Sequence, residues 1–324
     1  MTKDDVLRAL ETRRGQVLSG EKLAETLGVS RAAVWKAIAA LRAEGLQIEA
    51  VQGEGYRLGA SDDSLTAAGV QALLHTQTLG RSLVVLRETD STNTRIKEEY
   101  ADRAHGFTLI AEQQTAGRGR LGRRFVSPPG GGVYVSTLLR PALAMQDIGM
   151  ITLAAALAVC RAIERTCGFS PQIKWVNDVL MNGRKLSGIL TEAAIEGESG
   201  AVDYVVVGIG VNLRLDRASL PAELADIAGA LADFAEPPRR AVFAAALIDA
   251  LEETTGLLGP EGRQTLLHEY RARLCCLNQT IRVIRASESY TAVCDGLDDN
   301  GHLLVTRTDG QRETLSSGEI SIRL

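Results

Sequence analysis

The sequence predicts a multidomain α/β protein: a winged helix-turn-helix unit, a central mixed α/β domain and a small C-terminal β-barrel. Three observations predict it. Residues 1–60 hold three short helical patterns and then an alternating run with glycines at its turn. The middle of the chain alternates apolar, strand-like runs with longer helical ones. The final stretch is a series of period-two runs broken by Asp-Asn-Gly and Asp-Gly turns. With 324 residues and 45% hydrophobic side chains, the chain exceeds what one core usually organises and has apolar material for two or three.

In the first unit, Val6, Leu7 and Leu10 mark an amphipathic helix that stops near Gly15. GEKLAETL (Gly20 to Leu27) is a second, ended by Gly28. Ser30 takes the N-cap position of a third, RAAVWKAIAALRAEG, which stops at Gly45. Its apolar stripe is Val34, Ala37, Ile38 and Leu41, with Arg31, Ala32, Lys36 and Ala39 outside it. Trp35 lies in this helix too, where a half-buried packing role is preferred to a base contact. QIEAVQGEGYRL, turning at Gly53 and Gly55, is a two-stranded wing. Arg31, Ala32, Lys36 and Arg42 on the helix and Arg57 on the wing are the candidate DNA contacts. Residues 1–60 carry nine Lys and Arg against eight acids, so a single copy has little counterion release to draw on and specific binding calls for two copies on a palindrome.

This unit is expected to span 1–62, with ASDDSL (Ala60 to Leu65) as a polar linker. The central domain is expected over 66–275 and the barrel over 276–324. Central strands are expected from Ser82, Phe107, Gly132, Gly188 and Asp203; helices follow Asn93, run from Met150 and recur in 241–274. Several strands join through short Gly-rich turns, which predicts a mixed rather than a purely parallel sheet.

Charge and cysteine usage exclude several classes. A net charge of −4 excludes a chain-wide basic surface, though not a local basic element. Aromatic residues make up 4%, too few for the stacking platforms of single-strand binders. Five cysteines without a CxxC pair, and four histidines without ligand spacing, indicate neither a disulfide framework nor a metal site. The segment MTKDDVLRAL has no apolar core and no run approaches a membrane span, so a cytoplasmic protein without membrane contact is expected.

Four elements carry chemistry. GRGRLGR (Gly117 to Arg123) fits a dinucleotide fingerprint in letters only, since no helix follows it. Its composition is the signal: Arg118, Arg120, Arg123 and Arg124 with no acid among them, on a glycine hinge suited to phosphate or carboxylate. A solvated surface loop is the plain alternative. In IKWVNDVLMNGRKLSGIL a strand ends at Lys174-Trp175, the pair Asn177-Asp178 follows, and an Asn182-Gly183 turn returns Arg184 and Lys185. The pair is a functional amide and carboxylate, or merely shapes a turn. DSTN (Asp90 to Asn93) meets a helix start, where it holds a compact polar head group or simply caps the helix, capping being the default. GIGVNL (Gly208 to Leu213) says little by itself.

In this order the strings AEQQTAGRGRLGRRF, KWVNDVLMNGRKLSGIL and VVVGIGVN resemble the signature segments of the biotin protein ligases. SGEKLAETLGVSRAAVWKAIAALRAEG and the closing GEISIR extend the likeness over nearly the whole chain, so it resembles the bifunctional type, both biotin ligase and biotin-operon repressor. The resemblance implies a central domain related to class II aminoacyl-tRNA synthetases and an SH3-like barrel. It implies biotin and ATP as substrates, Mg2+, a biotin carboxyl carrier protein of acetyl-CoA carboxylase as acceptor, biotin operator DNA, and a homodimer when biotinyl-AMP is bound. It places Ser91, Thr92, Asn93 and Gln114 near the biotin head group and makes Arg118, Gly119 and Arg120 the closing loop. Lys185 meets the biotin carboxylate; Arg123, Asn177 and Asn212 fall on the nucleotide side; Asp178 is the candidate to orient or deprotonate the acceptor amine.

Phe125 stands where the family often has Trp, and Val176 where Pro is common; no aromatic partner for adenine is identified. Three other readings stand beside this one: a ligand-sensing regulator without ligase activity, a lipoate-type ligase of the same superfamily, and an unrelated synthetase-like enzyme with an appended wing. The intact arginine loop and Lys185 argue against the first, and lipoate-type ligases normally lack GRGRxGR.

Overall fold

The computed structural model describes residues 2–141, 144–197, 201–284, 288–316 and 319–321. Gly318, Ile322 and Arg323 of the closing GEISIR string lie outside the described residues.

The first unit folds as α1 (Thr2–Thr12), α2 (Gly20–Leu27), α3 (Arg31–Ala43) and a hairpin of β1 (Ile48–Val51) and β2 (Gly55–Leu58). Its boundaries have local causes. Gly28 adopts φ +64 to end α2, and Ser30 Oγ accepts from Ala33 N at 3.1 Å to start α3. The unit has a core of its own, in which Leu7 and Leu10 of α1 meet Ile38 and Leu41 of α3 beneath Leu58 of the wing.

The stretch read as a linker is held rather than free. Asp62 is buried, accepting from Gln47 N at 3.0 Å and from Ser64 N at 2.9 Å. Arg14, paired with Glu11, donates to the carbonyls of Gly59 at 2.6 Å and Asp62 at 2.9 Å. Asp63 accepts from Arg240 N at 2.6 Å and Nε at 2.9 Å, so a helix start far along the chain docks on this segment. The segment is a fixed joint: besides the local Ser64, its partners include an element 177 residues away. The next helix, α4 (Ala67–Gln71), bridges the units, with Ala68 in the first core and Val70 in the second.

The central domain comprises β3 (Leu83–Leu86), α5 (Thr92–Glu99), β4 (Thr108–Ala111), β5 (Gly132–Leu139), α6 (Ile148–Cys167), β6 (Gln172–Lys174), β7 (Asp178–Met181), β8 (Arg184–Ile195), β9 (Val202–Asn212), α7 (Ala222–Ala225), α8 (Arg240–Gly256) and α9 (Arg263–Arg273). Its seven strands run in the order β3-β4-β5-β9-β8-β7-β6. Only β3 and β4 pair in parallel, so the sheet is mixed as expected. Every residue of β5 is buried, which fits its continuous apolar reading GVYVSTLL. Helices α6 and α8 pack on each other and on the sheet, while α5 contacts β5 and β9 from the N-terminal side of the site.

The C-terminal unit is a five-stranded antiparallel sheet of β10 (Thr280–Ile284), β11 (Ser289–Leu297), β12 (Leu303–Arg307), β13 (Arg312–Leu315) and β14 (Glu319–Ser321), ordered β13-β12-β11-β10-β14. A bulge between Cys294 and Gly296 bends β11, as a small SH3-like sheet requires. Its interior is continuous with the central core through Leu274, Cys276 and Ile281. Trp175 crosses the seam, 3% exposed, with Nε1 donating to the Gly301 carbonyl at 3.1 Å. Among the described residues no helix is long and apolar enough to cross a membrane.

Candidate active site

One cleft of about 1480 Å³ gathers the start of α5, the arginine loop, the β7–β8 hairpin and the edge of the C-terminal sheet. The hairpin is made by its turn. Asn182 and Gly183 have φ +49 and +74, the paired left-handed residues of a type I′ turn, and this sets Leu180 opposite Lys185. Asp178, at the start of the same hairpin, comes to face Lys185, with Nζ 2.6 Å from Oδ1. That oxygen is buried and receives no directed hydrogen bond, so the contact is an ion pair with acceptor capacity left over. Asn177 does more than shape a turn. Its Nδ2 donates to the Ile189 carbonyl at 3.0 Å, and its Oδ1 accepts from Arg120 Nη1 at 3.1 Å.

At the start of α5, Ser91 occupies the N-cap position but makes no side-chain cap, against the default expectation. The helix end is satisfied from elsewhere: Gln114 Oε1 accepts from Thr92 N at 2.9 Å and from Thr92 Oγ1 at 3.1 Å. Gln114 Nε2 in turn donates to Ser127 Oγ at 2.8 Å, and Ser136 Oγ donates to Asn93 Oδ1 at 2.6 Å. Ser91, Thr92 and Asn93 are all buried in the cleft wall. The hydrogen bonds joining Thr92, Asn93, Gln114, Ser127 and Ser136 fix side-chain geometry for a polar head group.

The arginine loop folds back on itself, with Gly119 N bonded to the Arg123 carbonyl at 2.7 Å and Phe125 N to the Gly117 carbonyl at 2.9 Å. A side chain at Gly117 would put Cβ 2.3 Å from the Phe125 carbonyl oxygen, so this position must be glycine. Leu121, φ +55 and 76% exposed, forms the tip. The loop contains no acid, yet Arg118 finds one: Glu192 on β8, at 3.1 Å. Burial pushes the Glu192 carboxyl up, but hydrogen bonds from Lys97 and Asn93 and the charges of Lys97 and Arg118 outweigh it and hold its pKa below the usual range.

Sequence reasoning missed Glu192 and the purpose of GIGVNL. Gly208 and Gly210 lie two apart on one face of β9. A Cβ at Gly208 would be 2.2 Å from Asn93 Oδ1, and one at Gly210 would be 2.5 Å from Phe125 Cε1. These glycines therefore admit α5 and Phe125 to the sheet surface. The G-x-G spacing on an apolar strand was the available signal.

Of the expected site residues, Ser91, Thr92, Asn93, Gln114, Arg118, Gly119, Arg120, Arg123, Asn177, Asp178 and Lys185 all line the cleft. Asn212 does not. It is buried at the end of β9 and its Nδ2 donates to the Gly229 carbonyl at 3.0 Å. On the first unit, Arg31, Ala32 and Lys36 are exposed on α3. Arg42 Nε is bonded to the Ile48 carbonyl at 2.7 Å, and Arg57 pairs with Glu49 at 2.6 Å, so both are engaged within the unit. Trp35 is not half-buried but 62% exposed, because the unit's neighbouring elements cover only the Val34–Ile38–Leu41 stripe.

Comparison with known proteins gives three family matches in chain order. Residues 2–57 match an HTH domain, residues 85–212 the biotin/lipoate A/B protein ligase family, and residues 276–323 the biotin protein ligase C terminal domain. The chain is 33% identical over 319 residues to the bifunctional ligase/repressor BirA of Bacillus subtilis, covering 97% of both chains. It is 33% identical over 318 residues to the bifunctional ligase/repressor BirA of Escherichia coli, covering 95% of this chain and 94% of that one. The solved biotin protein ligase from Aquifex aeolicus in complex with biotin and ATP superposes with a TM-score of 0.65 at 28% identity, over 75% of this chain and 99% of that one.

Proposed function

Because the chain belongs to the biotin protein ligase family, in its bifunctional ligase/repressor form, we propose that the cleft makes biotinyl-5′-AMP and passes biotin to one lysine of a biotin carboxyl carrier protein. In the first step a biotin carboxylate oxygen attacks the α-phosphorus of ATP, and the bond to pyrophosphate breaks. The obstacle is charge. Two anions 4 Å apart repel by about 4 kcal/mol at an effective dielectric of about 20. Lys185 and Arg120, both on the cleft wall, offset that repulsion as charge builds on the bridging oxygen. Ser91, Thr92, Asn93 and Gln114 hold the head group; Arg118, Gly119 and Arg120 close over the acyl phosphate; Arg123 and Asn177 face the nucleotide.

Among the described residues no cluster of three or more acidic, His or Cys side chains is placed to hold a metal. Asp178 and Glu223 are the carboxylates on the cleft wall, and Asp178 keeps a buried oxygen without a directed hydrogen bond. Those residues fit a Mg2+ ion, which Asp178 would help to hold and which would supply positive charge against the triphosphate. In the second step the acceptor lysine amine attacks the acyl carbon, the bond to AMP breaks, and the amine proton passes to Asp178. Lys185, 2.6 Å away, holds that carboxylate in place on the cleft wall.

The observation that carries this reading is the meeting of four chain segments in one cleft: the buried Ser91–Asn93 network, the arginine loop, Asn177–Asp178 and Lys185. On the DNA side, the winged helix binds a palindromic biotin operator as a homodimer formed when biotinyl-AMP is bound. The test is native mass spectrometry after incubation with biotin and ATP. Retention of one biotinyl-AMP, followed by biotin transfer to a carrier domain, is expected. Adenylation of lipoate in preference to biotin, or binding of biotin without pyrophosphate release, overturns it.

A further inference from the structure

The reading face of α3 holds a side chain that the winged helix itself does not use. Helix α3 buries Val34, Ala37, Ile38 and Leu41, and on the flank of that stripe Trp35 is 62% exposed. The other tryptophan of the chain, Trp175, is 3% exposed and hydrogen-bonded. Among the described residues no hydrogen bond or ring contact ties the Trp35 indole to the rest of the protein. A large aromatic ring left in water is available to another molecule, and tryptophan is enriched where such contacts form.

The neighbours of Trp35 say what that molecule is. Ala32 precedes it by three residues and Ala39 follows by four, so on that side the helix surface carries only methyl groups and the indole stands clear of it. Arg31 and Lys36, exposed beside it, bring positive charge. The partner this face fits is anionic, admits a helix, and offers an apolar contact within a polar surface. The major groove of a DNA duplex has all three properties, and its apolar contact is the thymine 5-methyl group.

We infer that Trp35 is a specificity residue of the repressor, packing its indole against a thymine methyl in each operator half-site. The inference rests on the DNA-binding reading of the winged helix. It also accounts for a shortage of polar readers: Arg42 is bonded to the Ile48 carbonyl and Arg57 to Glu49, which leaves Arg31 and Lys36 to hold phosphates or bases. With few hydrogen-bonding readers, an apolar contact carries a larger share of base discrimination. Such a contact costs no counterions, so it suits a unit of nearly balanced charge.

The test uses the full chain with biotin and ATP. Selection from a random 40-base-pair duplex library gives the site that the protein prefers; failure to enrich any site sinks the DNA-binding reading itself. On the enriched duplex, each thymine is then replaced by deoxyuridine, which removes only the methyl group. One symmetric pair of replacements is expected to weaken wild-type binding about tenfold. Trp35→Ala is expected to weaken binding to the thymine duplex to the same degree and to be indifferent to that replacement, with biotin transfer unchanged. Retained affinity in Trp35→Ala, or undiminished sensitivity to the replacement, overturns the inference. Should the variant fold poorly, wild-type fluorescence decides, since Trp35 is the one exposed tryptophan: the emission shifts on adding the duplex, and an unmoved spectrum overturns the inference. A variant that changes self-association but not methyl sensitivity would place Trp35 in a protein contact instead.

Discussion

The winged helix and the C-terminal sheet are both small additions to the same central domain, yet they are attached by opposite physics. The winged helix closes its own core and meets the rest of the chain through few contacts: the Glu11–Arg239 ion pair, Arg14 on the Gly59 and Asp62 carbonyls, and α4, whose Ala68 enters that core. The C-terminal sheet has no separate core. Its inner face, with Ile281, Val283 and Leu303, is part of one apolar cluster with α6 and α9. A unit with its own core, joined by so few contacts, can be lost at the cost of those contacts alone. A unit that shares a core cannot leave without exposing it. The repressor half is thus an attachment, whereas the C-terminal sheet is part of the enzyme.

The widest contrast comes from deletion. Removal of 1–60 is expected to leave a folded, active ligase that no longer binds operator DNA. Removal of 276–324 is expected to abolish cooperative folding, because it strips the partners of Leu274, Tyr270 and Trp175. Calorimetry and pyrophosphate release on the two truncations check this, and a stable, active 1–275 fragment would break the comparison. A smaller effect of the same kind comes from the seam. Trp175→Ala should cost about 3–5 kcal/mol and depress activity with it, since the lost ring leaves a cavity and an unpaired Gly301 carbonyl. Lys185→Ala sharpens the contrast from the other side. Adenylation should fall by about 100- to 1000-fold with an unchanged melt, because a cation acting on the transition state is removed rather than packing. Transfer from supplied biotinyl-AMP should suffer less; equal losses in both half-reactions would remove Lys185 from the first.

How much of this the sequence reveals differs between the regions. The winged helix was legible to within a residue or two, since its signals are local: Ser30 caps α3, Gly28 ends α2, and Gly55 opens β2. The β7–β8 hairpin was legible for the same reason, its Asn182-Gly183 dipeptide demanding one turn. What failed was everything set by distant partners. Glu192 is a single acid in a strand run, and only the fold brings it to Arg118, 74 residues away in sequence. Asp62 and Asp63 read as spacer because Arg14 and Arg240 are remote. Trp35 stands beside the apolar stripe in sequence, and helical periodicity alone cannot tell where neighbouring elements stop covering it.

The smallest expected effect tests the joint directly. Burial raises the Asp62 carboxyl, but hydrogen bonds from Ser64 and Gln47 and the Arg14 charge outweigh it, so its pKa lies below the ordinary 3.8. A carboxyl with a folded pKa below its unfolded one contributes stability that is present above the unfolded value. That contribution is lost as pH falls through the folded value. Asp62→Asn should therefore cost the winged helix about 1 kcal/mol at neutral pH. The gap between wild type and variant should narrow as pH drops below about 4. In calorimetry the loss should appear in the transition of the first unit and leave that of the central body in place, since Asp62 contacts Gln47, Ser64 and Arg14 but no residue of the larger core. A single transition that moves as a whole would show that the ion-paired joint transmits stability as fully as the shared core does, and the two attachments would then differ in chemistry but not in consequence.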